Sequence, residues 1–160
     1  MSEVWVLDAS PVILLDKIGR LDFLERLTEK ALVPETVFRE IQAGIGSSSA
    51  AGSVLDWTTP RRAADVPIPL SIERWDLGAG ESQVIAHCLV GAQRAVLDDA
   101  QGRECARSHS VPVIGTLGIV LRAKRRGLIP AARPILEKLC HTGMYLSDHI
   151  LNETLTLIGE

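Results

Sequence analysis

Short apolar runs alternate with longer amphipathic stretches along most of the chain. Val4–Leu7, Ala31–Val33, Ala95–Leu97 and Val111–Ile114 are three or four residues long and almost wholly apolar. Runs of that length read as strands buried on both faces. Between them the apolar period lengthens. Ser10-Pro11 opens a helix, with Ser as N-cap and Pro at the first helical position. A second short helix covers Leu21 to Leu27. A third runs from Pro34 to about Ala43, with Val37, Phe38 and Ile41 inward and Gly44 as its stop. Gly80 leads into a helix through Val90, and residues 101–108 form another. Three helices close the chain. One runs from Leu117 to Arg126 and stops at Gly127; the next runs from Pro130 to His141 and stops at Gly143. The last is capped by Ser147 and lines up Ile150, Leu151, Leu155 and Ile158. Residues 44–53, rich in Gly, Ser and Ala, read as a mobile loop at the rim of a substrate groove. A short edge strand is expected near Trp57.

Strands alternating with helices predict a central parallel sheet covered on both faces. At 160 residues with no linker, the chain reads as a single domain over 1–160, with 130–160 a helical extension packed on it. Hydrophobic residues make up 46% and aromatics 4%, so the core is built mainly of Leu, Ile, Val and Ala. No apolar run reaches bilayer length, and Met1-Ser2-Glu3 does not resemble a signal peptide, so a cytoplasmic protein is expected. Cys88, Cys105 and Cys140 match no metal-ligand spacing and read as buried thiols of a reducing compartment.

The candidate chemistry lies in carboxylates. Val6-Leu7-Asp8-Ala9-Ser10, Phe38-Arg39-Glu40, Gly78-Ala79-Gly80-Glu81 and Leu97-Asp98-Asp99 each fall where an element begins or ends. In parallel sheets ligands bind beyond the carboxyl ends of the strands, where Asp8 and the Asp98–Asp99 pair fall. Gathering carboxylates is opposed by desolvation and mutual repulsion, and hard Mg²⁺ or Mn²⁺ relieves both. The pattern therefore points to metal-dependent phosphodiester chemistry. Each acid also has a plainer reading. Asp8 could cap the next helix, although Ser10 is better placed. Glu40 could be an ordinary surface acid, and Glu81 could answer the helix dipole. Of the adjacent pair, Asp99 is preferred as the ligand; one of the two could simply make an Asx turn. Thr116 could hold a water or phosphate, or cap its helix.

Net charge is −3, yet residues 103–133 hold seven basic side chains (Arg103, Arg107, Arg122, Lys124, Arg125, Arg126 and Arg133) against one acid, Glu104. A basic face opposite an acidic centre suits a polyanion. The competing reading is the solvated side of a helix.

In combination these pieces resemble the PIN-domain family, particularly a branch of prokaryotic PIN proteins near the VapC-type toxins. The matching segments are Leu7-Asp8-Ala9-Ser10, Pro34-x-x-Val37-x-x-Glu40 and Leu77-Gly78-x-Gly80-Glu81. Leu97-Asp98-Asp99-x-x-Gly102-Arg103 and Gly115-Thr116-Leu117-Gly118, with Ala123-Lys124 and Gly127-Leu128-Ile129, complete the set. The resemblance implies a three-layer sandwich with a central parallel sheet. It implies a Mg²⁺- or Mn²⁺-dependent endoribonuclease, the toxin of a type II toxin–antitoxin pair, with catalytic acids Asp8, Glu40, Glu81 and Asp99. Metal would fall to Asp8, Glu81, Asp98 and Asp99. Arg103, Thr116, Lys124 and Arg125 are candidates for holding RNA. A small antitoxin protein is the implied partner. The apolar faces of the last helices (Ile135, Leu139; Leu151, Leu155) suggest a homodimer. Two rivals remain: a PIN fold acting only as an interaction module, and a phospho-acceptor receiver domain.

Overall fold

The computed structural model describes residues 3–45 and 51–160. Five strands form one all-parallel sheet: β1 (Val4–Leu7), β2 (Lys30–Pro34), β3 (Arg62–Ala63), β4 (Arg94–Val96) and β5 (Val113–Ile114), in the order β3-β2-β1-β4-β5. β1 is central. Its Trp5 stands opposite Ala31 of β2 and Arg94 of β4, and its Leu7 opposite Val96. Trp5, Val6 and Leu7 are fully buried, as expected of a strand covered on both faces. The order is not the 2-1-3-4-5 arrangement of receiver-type sheets, which argues against the phospho-acceptor reading.

Helices α1 (Ala9–Lys17) and α2 (Asp22–Leu27) follow β1; α3 (Glu35–Ile45) and α4 (Ala51–Thr58) follow β2. A short α5 (Leu70–Glu73) and the longer α6 (Ala79–Leu89) precede β4. α7 (Ala100–Ser108) links β4 to β5, and α8 (Thr116–Arg125), α9 (Arg133–His141) and α10 (Asp148–Leu157) complete the chain. α1 and α2 pack with α8, and α6 with α7 against the sheet, as right-handed crossovers in opposite directions from β1 require. α3 touches both α1 and α6.

Several boundaries differ from the sequence reading. α1 starts at Ala9, which puts Asp8 rather than Ser10 at the N-cap position. Gly44 lies inside α3, where a helical glycine costs only about 1 kcal/mol. The loop expected over 44–53 is helical at both ends; residues 46–50 lie outside the described residues. Trp57 sits in α4, whose Val54 and Thr58 are buried one turn apart, and the edge strand comes later as β3. Gly127 (φ +73°) and Gly143 (φ +115°) are left-handed as helix stops require, and Ser147 caps α10 through the Ile150 amide.

The C-terminal helices add to the core. Ile135, Leu136, Leu139 and Leu155 are buried within the chain, so most of the apolar surface expected to be surplus is covered. Ile150 and Leu157 stay exposed. The Glu160 carboxylate accepts the Ala132 and Arg133 amides that open α9, and pairs with Lys124 of α8. Among the described residues no helix is long and apolar enough to cross a membrane.

Candidate active site

The sheet changes direction at β1. The chain builds outward on one side through β2 and β3, then returns to add β4 and β5 on the other. At such a switch point the connections diverge and leave a crevice at the carboxyl edge. Asp8 leaves β1 and Asp98 follows β4 at that crevice, and the Asp8 amide still bonds Val96 O at 3.1 Å. The N-termini of α1, α6, α7 and α8 open close to these carboxylates, each with first-turn amides that have no partner within the helix and a partial positive charge.

Three acids are drawn to three of these ends. Glu40, reaching across from α3, accepts the Gly80 amide of α6 at 3.1 Å. Asp99 caps α7 through the Gly102 amide at 2.8 Å. Asp98 takes α8: the Thr116 amide and hydroxyl donate to its two oxygens, each at 2.7 Å. Asp8 occupies the cap position of α1 but makes no capping bond. Its carboxylate is kept for the crevice, at only 5% exposure.

Glycines make room for this arrangement. A Cβ on Gly80 would overlap the Glu40 carboxylate, and one on Gly78 would overlap Glu81 Oε2. A Cβ on Gly115 would stand 2.9 Å from Asp98 Oδ1 and 3.3 Å from the Leu97 carbonyl. A Cβ on Gly102 would lie 3.5 Å from Asp99 Oδ2 and 3.6 Å from Glu81 Cγ, which sets Asp99 beside Glu81.

The electrostatics identify the centre of the group. Burial raises the Asp8 carboxyl to about 7; the Glu81, Glu40 and Asp98 charges push the same way, against the Ala9 amide. Glu40 is also raised, first by burial and then by Glu81, with the Gly80 amide opposing. Asp8, Glu40, Glu81 and Asp98 therefore share one field. Of the adjacent pair, Asp98 acts on Asp8, while Asp99 caps α7 near Glu81. The turn after β4 decides which of two adjacent side chains faces β1, and sequence alone does not reveal it. Among the described residues, no three His, Cys, Asp or Glu side chains already stand as a metal-holding group. The donor set nonetheless fits a hard divalent cation. It is all carboxylate oxygen, and among the described residues no ion pair engages its most buried member, Asp8.

The four candidate RNA contacts separate. Thr116 is fully buried and its hydroxyl is spent on Asp98, so it orients an acid rather than meeting RNA. Lys124 bonds Pro130 O and Glu160 at the far end of α8, about 12 Å along the helix from Thr116 at 1.5 Å per residue. Arg125 is at that end too. Their helix positions place them away from the acids. Arg103 does reach the site: Nη1 stands 3.5 Å from the Cβ position of Gly115, beside Asp98. The sequence reading missed a cleft next to Asp98, walled partly by Met144, Tyr145 and Ile150. No local motif signals it, because its walls come from distant segments.

The three cysteines are free, and burial pushes the Cys88 thiol up to about 12. Buried His87 is pulled below the usual imidazole range by desolvation. His109 is fixed between Cys105 O and Ser71. None of them joins the acids.

A family model described as a PIN domain matches residues 4–160. The crystal structure of PAE2754 from Pyrobaculum aerophilum is similar in fold. It superimposes with a TM-score of 0.55 at 14% identity, covering 76% of this chain and 97% of that one. A search of curated proteins returned no match.

Proposed function

The chain belongs to the PIN-domain family, and from that premise we propose that it is a metal-dependent endoribonuclease acting at the crevice beside β1. The observation that carries the reading is Asp8: a buried carboxylate, without a capping bond, in the field of Glu81, Glu40 and Asp98. An arrangement that costly is retained where a cation is to be held. Asp8 and Glu81 would be the principal ligands of Mg²⁺ or Mn²⁺, with Asp98 and Asp99 contributing lone pairs their capping bonds leave free. A divalent cation held there supplies charge neutralisation at the phosphate and a water acidified toward neutral pH. Glu40 and Thr116 act as positioning residues, fixing the start of α6 and the Asp98 carboxylate. The four helix N-termini add positive potential for a phosphodiester.

The test is cleavage of single-stranded and looped RNA by purified protein with Mn²⁺, stopped by EDTA. Asp8→Asn and Glu81→Gln should each lose most activity; equal rates in wild type and both variants would refute the site. The VapC-like resemblance supports a toxin role with a small protein inhibitor. Co-expression with a neighbouring small reading frame tests it, and harmless wild-type protein with no co-purifying partner would refute it. A homodimer would use the exposed residue of the C-terminal helices, Ile150 and Leu157, and light scattering over a dilution series tests it.

One observation favours the interaction-module reading: both Asp98 oxygens are already engaged, and among the described residues no metal-ready group of three acids stands assembled. Calorimetric titration with Mn²⁺ separates the two, since a module without metal gives no heat.

A further inference from the structure

Asp98 also lines a cleft of about 670 Å³ beside the acidic centre. Leu117 and Leu121 of α8, with Met144, Tyr145 and Ile150, make its wall apolar. Ser10, Asp98 and Arg103 supply its polar lining. Asp98 lines this cleft and also acts on Asp8, so a ligand in the cleft lies next to the acidic centre.

Arg103 is the informative residue. Its Nε is buried without a hydrogen-bond partner. Among the described residues no ion pair engages its guanidinium, although Asp98 is close by. A buried donor left unpaired is unfavourable, and a guanidinium is shaped to grip phosphate through paired N–H groups. Tyr145, at the rim, is 89% exposed. A large ring left in water beside a cleft suits stacking, which binds any base through its π-face. The cleft falls in the usual range for small-ligand sites and is large enough for a nucleotide. An apolar peptide would match the walls but leave the free guanidinium unanswered.

We infer that this cleft is a nucleobase subsite. Arg103 grips a phosphate next to the one held at the carboxylates, and Tyr145 with the aliphatic wall stacks the attached base. This rests on the ribonuclease reading and adds a preference to it: one base beside the scissile bond contributes to binding.

The test uses fluorescein-labelled single-stranded RNA with a base removed at one position at a time. Anisotropy is read on the Glu81→Gln protein so that the RNA is not consumed. One abasic position should weaken binding about tenfold. Adding Tyr145→Ala, at an exposed position that folding does not need, should erase that difference. Arg103→Gln should weaken binding to every RNA. If base removal is neutral everywhere, or its penalty survives Tyr145→Ala, the subsite is overturned, and wild-type cleavage of the same RNAs would leave the nuclease reading standing. If wild type neither binds nor cuts RNA, both fall. Competition by an apolar peptide that shifts Tyr145 resonances while base removal stays neutral assigns the cleft to a protein partner and also overturns the subsite.

Discussion

Asp8→Asn should stabilise the metal-free protein while disabling it. The Asp8 carboxyl rises from 3.8 to about 7 because burial and three neighbouring carboxylates oppose its charge. Between pH 4 and pH 7 the folded state therefore keeps a proton the unfolded chain has released. Stability falls as pH rises through that window and levels off above it. At 1.36 kcal/mol per pKa unit, the penalty at pH 8 has a ceiling of about 4 kcal/mol. Asparagine removes the charge and keeps the shape, but leaves a buried amide that costs about 1–3 kcal/mol if unpaired. Urea unfolding in EDTA should show Asp8→Asn more stable than wild type by about 1–3 kcal/mol at pH 8, with a smaller gap at pH 5. Mg²⁺ should then raise wild type by about 2.7 kcal/mol at one hundred times its Kd, and the variant by clearly less. A variant less stable than wild type at pH 8, or a gap that does not change with pH, would refute the argument that Asp8 sits as an unneutralised charge.

Gly80→Ala should leave the melting temperature nearly unchanged but cut RNA cleavage at least tenfold, because its Cβ displaces the Glu40 carboxylate. Thr116→Val keeps the volume and removes the hydroxyl donor to Asp98; it should lose about 1–3 kcal/mol in urea unfolding, with activity falling alongside. Glu160→Ala removes the acceptor of the α9 amides and the Lys124 pair, so limited proteolysis should release the last helices faster than in wild type. Cys88 should resist iodoacetamide at pH 8 in native protein and react on unfolding.

Where structure follows from local chemistry, the sequence is a sound guide. Continuous apolar runs marked β1, β2 and β4, and Gly127, Gly143 and Ser147 marked helix ends. Asp8, Glu40 and Glu81, quoted from three separate motifs, do share one field. The failures are those of longer range. Thr116 has a motif-like neighbourhood, but its partner Asp98 is 18 positions away, in the turn after β4. Lys124 looked available until its helix was long enough to carry it to Glu160. The edge strand expected near Trp57 comes five residues later as β3, while Trp57 itself lies in α4 beside the buried Val54. The cleft could not be read because residues 10–14, 113–121 and 143–150 meet only after the sheet closes.

The missing side chains at Gly78, Gly80 and Gly115 make this site partly a matter of negative space. A saturation scan should score these positions as severely as the acids themselves, although none carries a reactive group. They should also show pairwise dependence. Glu40→Asp draws the carboxylate back by one methylene, away from the position a Cβ at residue 80 would claim. The pair Gly80→Ala with Glu40→Asp should therefore cut RNA better than Gly80→Ala alone. Changes at the notch and at the acid that fills it would then be accepted together more readily than one at a time.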